Sequence, residues 1–386
     1  MRSVSIIGAG ITPFGVRPES AVRLGAEACR TAMEDAGIGP DRVEAFFLGN
    51  FAGHAFMGQN HLAPMVAHAA GLGPVPCTRA EGACASGGLA MRQGVLAIAS
   101  GAVDVVLVAG VEKMTGAATG ETAQILAAAG DYESEASIGA TFPALFALIA
   151  RRHMHEYGTT REDMARVAVK NHAHGYLNPG AHLQIKITLE EVLGSRPVAD
   201  PICLLDCSPI SDGAAAVVLC PGEMAADLHP KPIRVLASAQ ASDAPALSDK
   251  SDITRFQSTC RAAEEAFRRA GMQPEDIDLA EVHDCFTIAE IMALEDIGFY
   301  RKGEGGRGAC ERETALGGAM PVNASGGLKA KGHPVGATGV AQICEIALQL
   351  RGDAGPHQVP GAEVGLAHNL GGSGATCAVH ILASGA

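Results

Sequence analysis

The sequence predicts an α/β protein made of two similar halves, with a long insertion in the first half. Three observations predict this organisation: a repeated helix–turn–strand segment, a matching pair of apolar helices that each lead into a strand, and a long excursion between two strands of the first half. The chain has 386 residues, of which 47% are hydrophobic and 18% are charged, so it can bury a large core.

The repeat joins a helix, a glycine turn and a strand. Residues 36–44 recur in similar form as residues 270–278, and the copies follow helical patterns at 21–35 and 260–269. In both copies a glycine stands close behind the helical pattern, where it can end a helix in the left-handed conformation. The same supersecondary unit is therefore expected twice.

The second part of each half is an apolar helix followed by a strand. Residues 88–101 lead to a strand at 103–109, and residues 339–352 lead to a strand at 363–368. Both helices carry too few polar residues for a surface position. We therefore expect them to be buried between two sheets.

The insertion distinguishes the two halves. The later half turns at once into a final strand at 375–382, whereas the corresponding strand at 214–220 arrives only after an excursion over residues 112–209. Helical patterns at 143–157 and 160–172 indicate that the excursion is structured. We interpret it as a lid over an active site that the halves share. The predicted boundaries are residues 1–115 with 205–225 for the first half, 116–204 for the insertion and 226–386 for the second half.

The insertion is basic in a chain that is otherwise acidic. The formal charge of −13 disfavours nucleic acid or an anionic membrane surface as the main partner. Between positions 151 and 186, six basic residues face three acidic ones. A phosphate-bearing ligand would bind there, through Arg151, Arg152, Lys170 and Lys186. A solvated helix face is an equally good interpretation of any one of them.

Signatures of membrane insertion, secretion and zinc binding are absent from the sequence. No apolar run approaches the roughly 18 to 20 residues that a membrane span needs. Residues 3–10 resemble a first strand, not a signal peptide. Eleven cysteines, an odd number, without CxxC pairs or zinc-type spacing, indicate free thiols in a reducing cytoplasm and predict no metal site.

A cysteine and a histidine, far apart in sequence, are the best candidates for chemistry. Cys84 stands just ahead of a helix of small residues, whose free N–H groups and dipole would favour the thiolate and could hold an oxyanion. His333 stands in a Gly/Pro turn, which suggests a displayed side chain and not a packed one. Together they predict a nucleophile and its general base. The alternative for Cys84 is an inert core cysteine.

Two further segments place chemical groups after predicted strands. Residues 281–286 hold a His, a carboxylate and a thiol in consecutive positions, and catalytic groups collect at strand ends in α/β folds. The alternative is a loop in which Asp284 caps the following helix. Residues 368–372 can offer backbone N–H donors at a glycine turn, or form an ordinary hairpin.

These four segments together resemble the thiolase family, specifically its sterol-carrier-protein-type branch, which includes archaeal and some bacterial acetyl-CoA acetyltransferases. The resemblance covers essentially the whole chain and implies a five-layered αβαβα core with an insertion that binds CoA. The matching motifs are Cys84-Ala85-Ser86-Gly87, His283-Asp284-Cys285-Phe286, Gly332-His333-Pro334 with Gly336-Ala337-Thr338-Gly339, and His368-Asn369-Leu370-Gly371-Gly372.

The resemblance also implies roles for individual residues. Cys84 would be the nucleophile that is acylated, and His333 would take its proton. Most thiolases carry a second, acid/base cysteine in a Cys-x-Gly motif near the C-terminus, where this chain has His368 and Leu370. In the branch that the chain resembles, the cysteine of the His-Asp-Cys-Phe motif takes over, which assigns the role to Cys285.

The implied reaction is a two-stage Claisen condensation of two acetyl-CoA molecules to acetoacetyl-CoA, or the reverse thiolysis. CoA thioesters are then substrates, and no covalently bound cofactor is expected. The first oxyanion would lie against the N–H of Cys84 and the turn at Gly371. The thioester oxygen of the second acyl-CoA would be held by His333 and by His283, which takes the place usually held by an Asn.

Other functions and partners stay open at this point. Ser325 and Phe286 are further candidates for substrate contact. The alternatives are a same-fold acyltransferase that uses a phenolic or polyketide-like acceptor, a retro-aldolase acting on a branched CoA ester, and a non-catalytic scaffold that binds lipid or CoA. The presence of Cys84 counts against the aldolase. The resemblance further implies a homo-oligomer, a dimer or tetramer, and a separate OB-fold/zinc-ribbon partner protein.

Overall fold

The computed structural model describes residues 2–385. Before the insertion, the first half contains β1 (Val4–Ile11), α1 (Ala21–Asp35), β2 (Ala45–Gly49), α2 (Gly53–Met57), α3 (Leu62–Ala69), β3 (Cys77–Ala80), α4 (Ser86–Ala99) and β4 (Val106–Glu112). The insertion contains α5 (Thr119–Ala127), α6 (Phe142–Tyr157), α7 (Arg161–Gly175), α8 (Leu189–Leu193), β5 (Pro197–Ala199) and β6 (Ile202–Cys203), and β7 (Gly213–Pro221) and α9 (Gly222–Leu228) follow it. The second half contains β8 (Ile233–Ser242), α10 (Gln257–Ala270), β9 (Leu279–Glu281), α11 (Thr287–Ile297), α12 (Gly305–Cys310), α13 (Gly327–Ala330), α14 (Thr338–Arg351), β10 (Val364–Gly371) and β11 (Thr376–Ser384).

Nine strands form one continuous sheet in the order β3-β2-β4-β7-β1-β8-β11-β10-β9. The halves meet where β1 pairs antiparallel with β8, for example Val4 opposite Val235. Read outward from this seam, β8, β11, β10 and β9 repeat the order of β1, β7, β4 and β2. A parallel bridge between Ala280 and Val322 lies where a counterpart of β3 would stand. The predicted duplication is therefore confirmed in the sheet topology.

Helices cover both outer faces of the sheet and fill the space between its halves. The helices α1 and α3 pack on the first half, and α10 packs on the second half with α11 beside it. Between the halves, α4 and α14 pack against each other and against strands of both. This arrangement is the expected five-layered αβαβα core. The predicted burial holds for α14 along nearly its whole length, whereas α4 is only partly buried and exposes Gln93 and Leu96.

Glycines allow the two central helices to approach closely. A Cβ atom added to Gly339 would lie 2.2 Å from the backbone nitrogen of Gly88, and one added to Gly87 would lie 2.9 Å from the nitrogen of Val340. Any side chain at these positions would push the helices apart. The small residues in the sequence at the start of both helices thus serve this crossing.

Most predicted elements are found within three residues of their expected bounds. The glycines after α1 and α10, Gly37 and Gly271, have φ values of +65° and +68°, as the predicted left-handed turns require. The strand expected at 103–109 is β4 and begins only at Val106, because residues 101–104 form a turn. None of the helices described between residues 2 and 385 combines the length and hydrophobicity that crossing a membrane would require.

The insertion lies between β4 and β7 and is folded. Its helix α7 begins with the predicted cap, in which the Thr160 hydroxyl accepts the N–H of Asp163 and the Asp163 carboxylate accepts the N–H of Thr160. The α6 residues Leu145 and Phe146 join the apolar core of the second half. The insertion therefore packs on the side of the molecule that carries α11 and the loop before it.

Candidate active site

Three chemically active side chains from both halves meet at one point. The sulfur of Cys84 and one ring nitrogen each of His283 and His333 lie within 4.8 Å of one another. Cys84 precedes α4, His283 follows β9, and His333 precedes α14. The two imidazole rings meet edge to face, with centroids 5.0 Å apart and an interplanar angle of 84°. The fold thus brings together residues that are up to about 250 positions apart in sequence.

A sharp turn presents Cys84. The preceding residue, Ala83, has a φ of +53°, which is rare for a residue with a side chain and is typical of strained functional turns. The Ser86 hydroxyl holds the turn, because it donates to the carbonyl of Ala83 at 2.6 Å and accepts the N–H of Gly82 at 3.0 Å. Helix α4 begins at Ser86, so its N-terminal end faces the site.

The surroundings of Cys84 favour the neutral thiol. Burial raises the pKa of Cys84 to about 12, although hydrogen bonding from the backbone N–H groups of Gly372 and of Cys84 itself opposes the shift. Backbone N–H groups at the sulfur thus favour the thiolate as expected, but the expected net preference for the thiolate is wrong, because burial outweighs them. The N–H of the glycine turn that reaches the sulfur belongs to Gly372. The neighbouring Gly371 packs tightly, because a Cβ atom added to it would lie 2.3 Å from the carbonyl oxygen of Gly82.

His333 is buried and not displayed, contrary to the expectation from its turn. Its Nδ1 lies 2.7 Å from the hydroxyl of Thr338, and that hydroxyl donates to the carbonyl of Pro334 at 3.1 Å. Since the hydroxyl proton is used, Thr338 accepts the Nδ1–H of His333, and Nε2 keeps its lone pair. Burial lowers the pKa of His333 to about 3, so the ring is neutral and can accept a proton.

A buried carboxylate fixes the turn that follows His333. The carboxylate of Glu112 accepts the N–H of Gly336 at 3.1 Å and that of Phe51 at 2.9 Å. It also accepts the Nδ2–H of Asn50 at 2.9 Å. Burial raises the pKa of Glu112 to about 7. In the sequence this residue marks only a strand boundary, because its partners lie in distant segments.

Asn369 connects the Cys84 loop to His283. Its Oδ1 accepts the N–H of Gly88 at 3.0 Å, and its Nδ2 donates to the carbonyl of Cys84 at 3.0 Å. The same Nδ2 lies 3.3 Å from Nδ1 of His283. Burial and the neighbouring imidazoles hold the pKa of His283 well below its usual range, so this ring is neutral as well.

The same cluster has a donor set that a metal ion could use. A thiolate and two imidazoles are typical zinc ligands, and the three atoms lie close enough together. However, a ligating imidazole must offer a lone pair, and the contact with Asn369 leaves His283 with its proton on Nε2. The hydrogen bonds around the site therefore suit proton transfer and N–H donation better than metal binding.

Cys285 lies beside this cluster. Burial raises the pKa of Cys285 well above its usual range, and the nearby thiol of Cys84 adds to the shift. The adjacent carboxylate of Asp284 accepts the N–H of Leu328 at 2.7 Å and that of Lys329 at 3.2 Å. Asp284 thus caps α13 and not α11, so the alternative in which it caps the helix after residue 286 is wrong.

Three further residues that the sequence singled out are buried, namely Phe286, Ser325 and His368. The ring of Phe286, the residue after Cys285, packs on Phe146, with centroids 4.6 Å apart. The hydroxyl of Ser325 donates to the buried carboxylate of Glu281 at 2.6 Å, so it is already engaged inside the protein. His368 lies behind His283, because its Nδ1 accepts the backbone N–H of His283 at 3.3 Å and its Nε2 lies 3.0 Å from the hydroxyl of Thr259.

The basic residues of the insertion do not form one exposed patch. Lys170 is buried, and its ammonium lies 3.0 Å from the carboxylate of Glu290 and 2.9 Å from the carbonyl of Val322. This placement contradicts its predicted role as a surface ligand for phosphate. Lys186 is exposed and lies over the ring of Tyr176, 4.6 Å from its centroid. The arginines pair with acidic neighbours, namely Arg151 with Asp200, Arg152 with Glu156, Arg161 with Asp206 and Arg166 with Glu162.

Comparison with known proteins agrees with this geometry. An acetyl-CoA acetyltransferase of Methanothermobacter thermautotrophicus is 53% identical over 382 residues, which are 99% of this chain and 99% of the relative. Sterol carrier protein 2 of Bos taurus is 35% identical over 387 residues, which cover 96% of this chain and 70% of that protein. A solved structure, the Ltp2-ChsH2(DUF35) aldolase, matches with a TM-score of 0.87 and 28% identity over 99% of this chain and 98% of that one.

Family matches cover both halves of the chain. The thiolase N-terminal domain matches residues 4–223, and the thiolase C-terminal domain-like family matches residues 239–384. The resemblance to the sterol-carrier-protein-type branch is thereby confirmed, together with the thiolase fold. With its two halves matched by these two domains, the chain belongs to the thiolase family.

Proposed function

We propose that this protein is an acetyl-CoA C-acetyltransferase, which forms acetoacetyl-CoA from two acetyl-CoA molecules or catalyses the reverse thiolysis. The observation that carries the proposal is the meeting of Cys84, His333 and His283 at one point, with Cys285 beside them. The name of the archaeal relative, at 53% identity over nearly the whole chain, supports acetyl-CoA as the substrate.

The first stage transfers an acetyl group to Cys84. Nε2 of His333 takes the thiol proton, and the resulting thiolate attacks the thioester carbonyl of acetyl-CoA. The oxyanion of the tetrahedral intermediate is stabilised by backbone N–H groups of Cys84 and of the turn at Gly371 and Gly372. The CoA thiolate then leaves and takes the proton of Cys285, which forms CoA thiol, acetylated Cys84, a protonated His333 and a Cys285 thiolate.

The second stage forms the carbon–carbon bond. The Cys285 thiolate takes a proton from the methyl carbon of a second acetyl-CoA, and the raised pKa of Cys285 makes it a strong base in this form. The enolate oxygen is stabilised by N–H groups of His333 and His283. The enolate carbon attacks the acetyl group, Cys84 leaves as a thiolate, and His333 returns its proton. All three groups end in their starting protonation states.

Binding of CoA by the insertion belongs to the same proposal. Residues 116–204 lie next to the loop that carries Cys285, and the exposed Lys186 and Arg151 are candidates for contacts with the CoA phosphates. We further propose that the chain works as a homo-oligomer in the cytoplasm. Within residues 2–385 all eleven cysteines are free thiols, which supports a reducing compartment.

An aldolase is the second candidate, because the 28%-identical structural neighbour is an Ltp2-ChsH2(DUF35) aldolase. The name of that aldolase joins two components, Ltp2 and ChsH2(DUF35), which also supports the proposal of a separate partner protein for this chain. The turn that presents Cys84, with His333 and Cys285 beside it, favours the acyltransferase. An aldolase would have no use for an acylated cysteine.

One assay tests the proposed function. The purified protein is incubated with acetyl-CoA alone, and acetoacetyl-CoA and free CoA are quantified. The proposal expects both products in equal amounts. Transfer of acetate only to an added phenolic or polyketide-like acceptor would instead identify the same-fold acyltransferase. The absence of both products and of any acetylated Cys84 would show a scaffold or an aldolase.

A further inference from the structure

We propose that Asn369 is a positioning residue that decides which nitrogen of His283 carries the proton, and thereby equips the site to stabilise the enolate of the second acetyl-CoA. The inference rests on the proposed function and deepens it. In the sequence, Asn369 is only part of a turn that can offer backbone donors. In the structure it is buried, and its side chain makes the contacts.

The orientation of the Asn369 amide is fixed by two backbone groups. The N–H of Gly88 can only donate, so it must meet the carbonyl oxygen Oδ1, at 3.0 Å. The carbonyl of Cys84 can only accept, so it must meet the amino group Nδ2, also at 3.0 Å. Rotating the amide by half a turn would place two donors together and two acceptors together. One N–H of Nδ2 is then left for Nδ1 of His283.

This contact leaves His283 with its proton on Nε2. The ring is neutral and carries a single N–H, so accepting a hydrogen bond at Nδ1 requires that the proton be on the other nitrogen. Among the described residues, the ring of His283 makes its hydrogen bond at Nδ1 and none at Nε2. It is therefore available as a donor to a bound substrate.

The neighbouring ring has the opposite arrangement. The hydroxyl of Thr338 accepts a hydrogen bond from the Nδ1–H of His333, so Nε2 carries the lone pair. Two rings that touch edge to face thus have different functions, one as a proton acceptor and the other as an N–H donor. Burial makes both rings neutral, so the side chains of Thr338 and Asn369 decide the difference.

The inference distinguishes the two stages of the reaction. The oxyanion of the first stage is held by backbone N–H groups of Cys84 and the glycine turn, and it does not use His283. The enolate of the second stage does use His283. A purely structural role for Asn369, as an anchor of the Cys84 loop, would instead affect both stages alike.

The substitution Asn369→Asp tests this difference. The carboxylate still accepts the N–H of Gly88 and loses the hydrogen bond to the carbonyl of Cys84. It also offers an acceptor to Nδ1 of His283 where the amide offered a donor. The proton of His283 then moves to Nδ1, and Nε2 presents a lone pair to the substrate. We expect condensation to fall by roughly 10² to 10³-fold, as for loss of one oxyanion-hole donor, and acetylation of Cys84 by no more than about tenfold.

A double-mutant cycle supplies the control. In His283→Asn the side-chain amide provides an N–H whatever the neighbour is, so Asn369→Asp should cost no more than about tenfold in condensation in that background. Equal losses of condensation in the two backgrounds would overturn the inference. So would an acetylation rate that falls as far as the condensation rate.

Imidazole ¹⁵N NMR of the histidine-labelled protein provides a readout that needs no activity. The signals of His283 are assigned by their disappearance in His283→Asn. The proposal expects Nε2 of the native ring to be protonated and Nδ1 unprotonated, with the reverse in Asn369→Asp. A native ring protonated on Nδ1 would overturn the inference even if acetoacetyl-CoA is formed. The expected tautomer in a protein that forms no acetoacetyl-CoA would instead overturn the proposed function.

Discussion

The carboxylate of Glu112, at the end of β4 in the first half, accepts the backbone N–H of Gly336, three residues after His333 in the second half. The two residues are 224 positions apart and meet at 3.1 Å. The proposed general base, His333 of the second half, is thus held in place by a buried group of the half that carries the proposed nucleophile, Cys84. The geometry of the site therefore depends on this hydrogen bond between the halves as well as on the proposed catalytic side chains.

Replacing Glu112 by Gln should weaken this contact between the halves and change how the free energy of unfolding depends on pH. Oε1 of the carboxylate accepts two N–H groups, from Asn50 and Ala52, and Oε2 accepts two more. Even the protonated carboxyl keeps an acceptor lone pair on both oxygens, whereas an amide nitrogen accepts no hydrogen bond, so the amide can satisfy only one of these pairs. We expect a loss of about 1–3 kcal/mol in the free energy of unfolding at acidic pH, measured by urea denaturation.

The pH dependence follows from the raised pKa. Since burial raises the pKa of Glu112 from 4.5 to about 7, the native protein binds this proton more tightly than the unfolded chain does. The stabilising contribution is complete below pH 4.5 and is lost as the pH rises to about 7. Over this range the free energy of unfolding of the unsubstituted protein should fall by up to about 1.4 kcal/mol per pH unit relative to that of Glu112→Gln. Parallel stability curves for the two proteins would refute this account.

Replacing Thr338 by Val should slow the acetylation of Cys84. The valine leaves the Nδ1–H of His333 without its acceptor in a buried position, and nothing then holds the lone pair on Nε2. An unsatisfied buried donor costs about 1–3 kcal/mol, so the burst of CoA release should slow by roughly 5- to 150-fold. Thr338→Ser keeps the hydroxyl and should retain most of the rate. Equal rates for Val and Ser would exclude the proposed role of the hydroxyl.

Replacing Phe146 by Leu should widen the acyl site. The ring of Phe146 packs on Phe286, the residue after Cys285, and we expect the smaller leucine to leave space beside the proposed acyl site. The ratio of kcat/KM for butyryl-CoA over acetyl-CoA should rise by about 10-fold or more, since each methylene in a pocket is worth about 1–3 kcal/mol. Phe256→Leu is the matched control, because Phe256 also packs on Phe146, with ring centroids 6.2 Å apart, but is not a chain neighbour of Cys285. A similar change in both variants would mean that looser packing of the core, and not the space beside Phe286, sets the preference for chain length.

Replacing Lys170 by Met should affect stability and not CoA binding. The substitution leaves the buried carboxylate of Glu290 without its cation, which typically costs about 3–5 kcal/mol. Arg151→Ala removes an exposed pair with Asp200 and should cost less than about 1 kcal/mol. Urea unfolding measures both. A raised KM for acetyl-CoA in a stably folded Lys170→Met would instead indicate that Lys170 contributes to CoA binding.

Local patterns predicted the elements and motifs well, because they are written in neighbouring residues. The helix α1 was expected at 21–35 and is found there, and the motifs around Cys84 and His333 occupy loops next to helix starts. The repeat at 36–44 and 270–278 predicted the duplication, since each copy contains a whole helix–turn–strand unit. The roles of the site residues stay predictions until the variants are measured.

Contacts between distant segments were not predictable from such patterns. Lys170 occupies a helix with a polar sequence and was expected at the surface, but α11 supplies Glu290 and buries it. The helix end near Cys84 suggested a thiolate, but the desolvation produced by packing the two halves together outweighs it. Asn369 and Glu112 gain their significance only when the halves meet, so no local pattern distinguishes them.

The most direct test of the central claim uses Cys285→Ser with radiolabelled acetyl-CoA. In this variant the thiol that supplies the base is gone, whereas Cys84 and His333 are intact. We expect a stoichiometric burst of CoA and an acetylated Cys84 peptide in the mass spectrum, with almost no acetoacetyl-CoA. Condensation at the rate of the unmodified protein, or label on a residue other than Cys84, would contradict the account.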